Sequence, residues 1–276
     1  MGSIFRFTDF ESLTDICQRK ELTLVSPAYW QDPYERYLFN AAKTEEGKKR
    51  LREIMARLLA RENIESSIAL LSILDAAFFG QCWTRKSESD ALWRIYAHEN
   101  MAVRIETDRA DLAKLQGVKA YDVTYVPQMS LESEVARSFS QEGRRFHSHI
   151  SFCTKRDAFA HEEEVRILSD PDVKNAERVT ATPGTTALMM QALRVLRDKG
   201  EITRGEFQTG MGSIESKRQP LRTFKRVSFA HVPGFIRSVM LHPLAPSWFD
   251  ETLNHFCQSN GVPYRGKSKM YALELT

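Results

Sequence analysis

Phe159-Ala160-His161-Glu162-Glu163-Glu164-Val165-Arg166-Ile167 sets three carboxylates and an arginine at the mouth of a short β-branched apolar run. Read as extended from Glu162 to Ile167, the segment alternates faces: Glu162, Glu164 and Arg166 point one way, Glu163, Val165 and Ile167 the other. Two carboxylates and a guanidinium on one strand face are costly to bury without partners, so a polar cleft is their natural place. A solvated edge strand carrying Glu/Arg pairs is the plainer reading of the same residues.

Around this segment the chain reads as a mixture of helices and strands. Ile4–Phe7 is a first strand, followed by a helix in which Phe10, Leu13, Ile16 and Cys17 share a face. Glu21–Ser26 is a second strand, ended by Pro27. Asp32, Pro33 and Glu35 have the pattern of a capped helix start. Lys43–Arg61 is an amphipathic helix with Leu51, Ile54, Met55, Leu58 and Leu59 inward, and Ser66–Phe78 is a second one. Gly80–Thr84 is a short central strand. Ser87 caps a helix carrying Leu92, Trp93, Ile95 and Tyr96. Met101–Glu106 and Val118–Val126 are strands, and Val135, Phe139, Phe146, Ile150 and Cys153 follow helical spacing.

In the last third, Val179–Thr182 reads as a strand, Thr185–Lys199 as a helix stopped by Gly200, and 201–221 as a long loop. Phe224–Phe229, Phe235–Leu241 and Lys269–Leu275 read as strands, with a helix over Trp248–Cys257. No regular βαβ rhythm emerges, so the class is α+β, with a mixed sheet and flanking helices. No repeat, low-complexity tract or linker divides residues 1–276, which points to a single domain.

Charge argues neither for nor against nucleic acid: 39 Lys and Arg face 36 Asp and Glu. Lys217, Arg218, Arg222, Lys225 and Arg226 cluster locally, as a phosphate-contacting patch or a solvated loop. Cys17, Cys82, Cys153 and Cys257 are far apart, which fits reduced thiols in a cytoplasmic protein and no zinc knuckle. The apolar runs are too short to span a bilayer. There is no GxxxxGK[ST], no HExxH and no GxSxG, and Gly210-Met211-Gly212 neither follows a clear strand nor opens a helix. No metal site is expected.

Several segments, in order, resemble a bacterial family known as domain-of-unknown-function family 2971 (DUF2971). They are Phe5-Arg6-Phe7, then Ser26-Pro27 with Gln31-Asp32-Pro33-Tyr34-Glu35, then Cys82-Trp83-Thr84 and Leu92-Trp93-Arg94-Ile95-Tyr96-Ala97. The last is Lys155, Phe159, Glu162, Glu164 and Arg166 in the pattern Lys-x-x-x-aromatic-x-x-Glu-x-Glu-x-Arg. Against that pattern, residues 173–221 look like a helical or loop insertion.

The layout is in turn similar to the ADP-ribosyltransferase fold, a split antiparallel sheet gripping NAD. That resemblance implies NAD as substrate, with Glu164 as the catalytic carboxylate and Glu162 polarising an acceptor. It also implies cofactor contacts from Arg6, Ser26, Thr84, Trp93, Tyr96 and Arg166. The spacing of Trp93 and Tyr96 equally suits core positions. The chemistry is coherent: breaking the nicotinamide–ribose bond builds oxocarbenium-like charge that a carboxylate stabilises, and a planar guanidinium suits phosphate oxygens.

Three functional expectations follow. One is an NAD-consuming transferase or glycohydrolase, in bacterial defence or as a toxin, acting on a protein or nucleic-acid acceptor. Another is a metal-independent nuclease using His161, Glu164 and Arg166 near the basic stretch 217–226. The third is a non-catalytic binding or regulatory module whose Glu/Arg constellation is a structural ion-pair network. NAD itself is not specified over another phosphate-bearing small molecule.

Overall fold

A computed structural model of the chain describes residues 2–57, 64–97, 100–138, 147–172 and 221–272, together with Asn175, Arg194, Arg197, Thr203 and Gly205. Nine of the described strands form one sheet: β1 (Ser3–Thr8), β2 (Glu21–Val25), β3 (Gly80–Thr84), β4 (Val103–Asp108), β5 (Val118–Asp122), β8 (Glu164–Ser169), β9 (Phe224–Ser228), β10 (Ser238–Leu241) and β11 (Tyr264–Lys267). β6 (Thr124–Val126) and β7 (Thr154–Arg156) make a separate parallel pair. Within the large sheet only β10 and β11 run parallel. The fold is α+β with a mixed sheet.

The sheet divides at β3. One edge of β3 pairs with β8 along its whole length, from Gly80↔Leu168 to Thr84↔Glu164. Because that edge is filled, β1 and β2 must share the other, and each meets it at one residue: Phe5↔Thr84 and Val25↔Gly80. Between those two points side chains replace the missing ladder bonds. The Arg6 Nη1 donates to the Cys82 carbonyl at 2.9 Å, and the Gln81 Nε2 donates to the Thr23 carbonyl at 3.2 Å. Backbone groups that lose sheet partners must find others, and here they do.

Helices cover both faces. They are α1 (Phe10–Arg19), α2 (Tyr37–Ala41), α3 (Glu45–Met55), α4 (Ile64–Ala77), α5 (Asp90–Tyr96), α6 (Arg109–Ala113), α7 (Leu131–Ala136), α8 (Ser148–Phe152), α9 (Val232–Phe235) and α10 (Ser247–Ser259). α1 starts as the polar spacing demands, with the Asp9 carboxylate accepting from the Ser12 amide, and buries Leu13, Ile16 and Cys17. On that side they join Leu22, Trp83, Val165, Ile167 and Leu253 in one core. A second core joins α2, α3 and α4 through Phe39, Leu51, Met55, Leu71 and Leu74, with Phe152 of α8 packed among them. A third, smaller one holds Phe5, Phe7, Leu92 and Trp93.

Several expectations are corrected. Glu162 is not in a strand; it ends a 3₁₀ turn (Asp157–Glu162), and β8 begins only at Glu164. Asp32-Pro33 opens a turn rather than a helix, because Arg36 is left-handed (φ 62°) and α2 starts at Tyr37. The residue before α5 is Ser89, not Ser87, and Ile95 and Tyr96 are exposed rather than core. Val118–Val126 is two strands in two sheets, broken at Val123. Phe235 closes α9, so the strand there is Ser238–Leu241. The last described strand is Tyr264–Lys267; of the expected Lys269–Leu275, Met270 and Tyr271 lie in a turn and residues 273–275 lie outside the described residues. Leu58, Leu59, Phe139, Phe146, Val179–Thr182, nearly all of Thr185–Lys199, Gly200, Lys217, Arg218 and most of the expected 173–221 insertion lie outside the described residues. Among the described residues no helix is long and apolar enough to cross a membrane.

Candidate functional site

The geometry that brings the acids together begins at Glu163. Its left-handed backbone (φ 42°) reverses the chain between the 3₁₀ turn and β8, a conformation costly for a residue with a Cβ. Glu162 and Glu164 face the same cation across this reversal rather than as neighbours on one face of a strand. That cation is Lys155 of β7, whose Nζ lies 2.6 Å from Glu162 Oε2, 3.4 Å from Glu164 Oε2 and 3.0 Å from Glu35 Oε1. Arg166 completes the cluster with a fork onto Glu164 (Nε–Oε1 2.7 Å, Nη2–Oε2 2.8 Å), a contact to Glu35 Oε2 at 3.3 Å and a bond to the Phe152 carbonyl. The Trp30 ring lies 4.0 Å from its guanidinium carbon.

The Gln31-Asp32-Pro33-Tyr34-Glu35 turn is the other half of this arrangement. Lys155 takes Glu35, while the next residue, Arg156, forks onto Asp32 (2.9 and 3.3 Å) and lies 4.3 Å from the Tyr34 ring centroid. The two acids of the turn are therefore tertiary ligands of β7. Gly80 makes the approach possible, because a Cβ there would sit 2.9 Å from the Trp30 ring and 3.0 Å from Leu168.

Three carboxylates against two cations leave this buried cluster formally one negative charge in excess. Arg166 is 1% exposed and the Glu164 side chain 4%. Burial alone would raise the Glu164 carboxyl, yet Arg166 and Lys155 outweigh it and hold it below the ordinary value. Burial likewise works to lower Lys155 and Arg166, and the surrounding carboxylates raise both. The Cys82 thiol is pushed well up by burial and by the Glu164 charge, so it is a poor nucleophile.

In front of the cluster, in the split of the sheet, lies a pocket of about 230 Å³. Arg6, Thr84, Tyr96, Glu162 and Glu164 all line it, with Phe5, Phe7, Trp30 and Leu92 as apolar walls. Tyr96 donates its hydroxyl to Glu162 Oε1 at 2.9 Å. Thr84 donates to the Glu162 carbonyl, fixing the turn that presents Glu162. Glu164 takes its backbone amide bond to the Tyr125 hydroxyl at 2.8 Å. Arg6 spends one nitrogen on the Cys82 carbonyl, and its Nε is buried inside the wall with no partner.

Three sequence candidates stand elsewhere. Trp93 is fully buried behind Phe7, edge-on to it at 4.7 Å, and is a core residue rather than a stacking platform. Ser26 is buried and accepts from the Ala28 amide, capping a 3₁₀ turn. Arg166 lies behind Glu164 and does not line the pocket. Glu35 and Lys155 were legible only as motif letters; no local signal shows that they converge. His161 is exposed, its Nδ1 against the Ala158 carbonyl, and Arg222 and Arg226 each pair with carboxylates. Among the described residues no group of His, Cys, Asp and Glu is arranged to hold a metal. No family model, no curated protein and no solved structure matches the chain.

Proposed function

We propose that the split-sheet pocket receives the nicotinamide–ribose end of NAD and that the protein is an NAD-consuming transferase or glycohydrolase. The observation that carries this reading is convergence: Arg6, Thr84, Tyr96, Glu162 and Glu164, from four separate segments, line one pocket between apolar walls. Apolar walls suit a nicotinamide ring. The Glu162 and Glu164 carboxylates in the pocket wall suit a cationic pyridinium and the positive charge that grows on the ribose.

The roles of the two glutamates favour Glu162 at the reacting centre. Both Glu164 oxygens are clamped by Arg166, so its task is to hold the cluster. Glu162 is oriented by Tyr96 and Lys155 and keeps lone pairs for a ribose hydroxyl. In the reaction the ribose–nitrogen bond breaks, and neutral nicotinamide departs with the bonding pair. The oxocarbenium-like carbon is stabilised by the Glu162 carboxylate. Water or an acceptor hydroxyl then bonds to that carbon and gives its proton to a carboxylate or to solvent. One preorganised charge of this kind contributes roughly 3–4 kcal/mol.

The test is nicotinamide release from NAD. Glu162→Gln is expected to cut it by about 10²–10³ with the fold retained, while wild type shows turnover. No release by the wild type and no thermal stabilisation at saturating NAD would sink the proposal. A second reading, a non-catalytic pocket with a structural ion cluster, is favoured by one observation: every carboxylate of the cluster already has a cation. Ligand binding with no nicotinamide release, by wild type and Glu162→Gln alike, is its signature.

A further inference from the structure

The pocket of about 230 Å³ is smaller than the roughly 300–1,000 Å³ clefts that enclose whole ligands. A dinucleotide whose nicotinamide end enters it must lay its other half outside. The register of the sheet shows where a continuous surface exists. Thr23 and Val25 of β2 line the pocket, and directly opposite them on β9 stand Arg226 and Phe224. Residues directly opposite in an antiparallel pair share a face. The pocket wall therefore continues without a step onto β9, away from the core that takes Leu22, Leu24 and Val227.

On that shelf Phe224 is 47% exposed and Val25 40%. The Arg226 guanidinium lies 5.6 Å from the Phe224 ring centroid. It is also held by Asp15 at 3.3 Å and by Glu21 at 3.6 Å. Two carboxylates beside it make Arg226 a poor phosphate receptor and leave it to steady the ring. What the shelf offers is a flat aromatic face at the rim of a ligand pocket, which is what a base stacks on.

We infer that Phe224 is the seat of the adenine base of NAD, so that the protein selects a dinucleotide over a mononucleotide. This rests on the reading of the pocket given above. Phe224 is half-exposed on β9, which ends the sheet on that side among the described residues, so it can be changed without opening the core.

The experiment measures dissociation constants for NAD and for nicotinamide mononucleotide, which lacks the adenosine half. The proteins are wild type, Phe224→Ala and Phe224→Trp. The expected result is a loss of about tenfold or more in NAD affinity for Phe224→Ala, with unchanged mononucleotide affinity. Phe224→Trp should retain NAD affinity. If Phe224→Ala leaves NAD binding unchanged, or weakens both ligands alike, the shelf assignment is overturned while the pocket reading stands. If wild type binds neither ligand, the pocket reading falls and the shelf with it.

Discussion

The cluster around Lys155 and the one around Arg50 use the same residue types in opposite surroundings. Arg50, on α3, forks onto Glu132 at 2.7 and 3.0 Å and reaches Glu53 at 2.9 Å, with Tyr37 donating to Glu132 at 2.6 Å. Its distances match those of Arg166 on Glu164, yet the Arg50 side chain is half-exposed and Arg166 is buried. Water and salt screen the first cluster, which therefore contributes little. The second has given up hydration for all of its charges, a cost that only complete pairing offsets. Equal geometry does not mean equal energy. A buried, over-acidic cluster behind a pocket calls for a functional reason in a way that a surface fork does not.

The largest effect expected from breaking the comparison is at Arg166. Arg166→Met leaves three buried carboxylates with Lys155 alone and should destabilise by about 3–5 kcal/mol, read from urea midpoints at constant slope. A loss below about 1 kcal/mol would mean that water reaches the cluster and that its burial is of no consequence.

Glu162→Gln should separate stability from activity. It removes the excess charge and keeps an acceptor for Tyr96, so the fold should lose only about 1 kcal/mol while nicotinamide release collapses. A stability loss as large as that of Arg166→Met would make Glu162 a structural residue.

Acid titration sharpens the contrast further. The folded Glu164 carboxyl is held below its ordinary value, so the unfolded chain binds its proton first as pH falls. Its contribution is complete above the ordinary carboxylate pKa of about 4.3 and is lost as pH drops through the lowered folded value. Glu164→Gln should flatten that acid limb of the stability curve, and an unchanged limb would assign it to other carboxylates.

The smallest effect is at the surface: Arg50→Ala is expected to leave the unfolding midpoint where it is, at low and high salt alike. A salt-dependent drop would show that the exposed cluster is worth more than its screening allows.

Much of the frame was legible in the chain because it depends on local chemistry. The α1 face follows from Leu13, Ile16 and Cys17 at helical spacing, and the central strand from the short Gly80–Thr84 run. Glu162 and Glu164 were legible as site candidates, though for an incomplete reason: alternation on a strand was expected, and a left-handed Glu163 delivers Glu162 instead. Nothing local marks that reversal, since a Glu seldom adopts it. Trp93 and Tyr96, three residues apart on one short helix, carried the same spacing argument, yet one is fully buried and the other exposed at the pocket.

The amino-acid order alone determined the α+β class and most element positions, and it supplied the residues that now line the pocket, because periodicity and turn chemistry act over a few residues. Tertiary structure alone decided that β1 and β2 share one edge of β3, that Lys155 and Glu35 meet across 120 positions of chain, and that Arg6, Thr84, Tyr96, Glu162 and Glu164 line one pocket. Those are matters of which long-range pairing satisfies every buried charge and backbone group at once, and no window of sequence contains that condition.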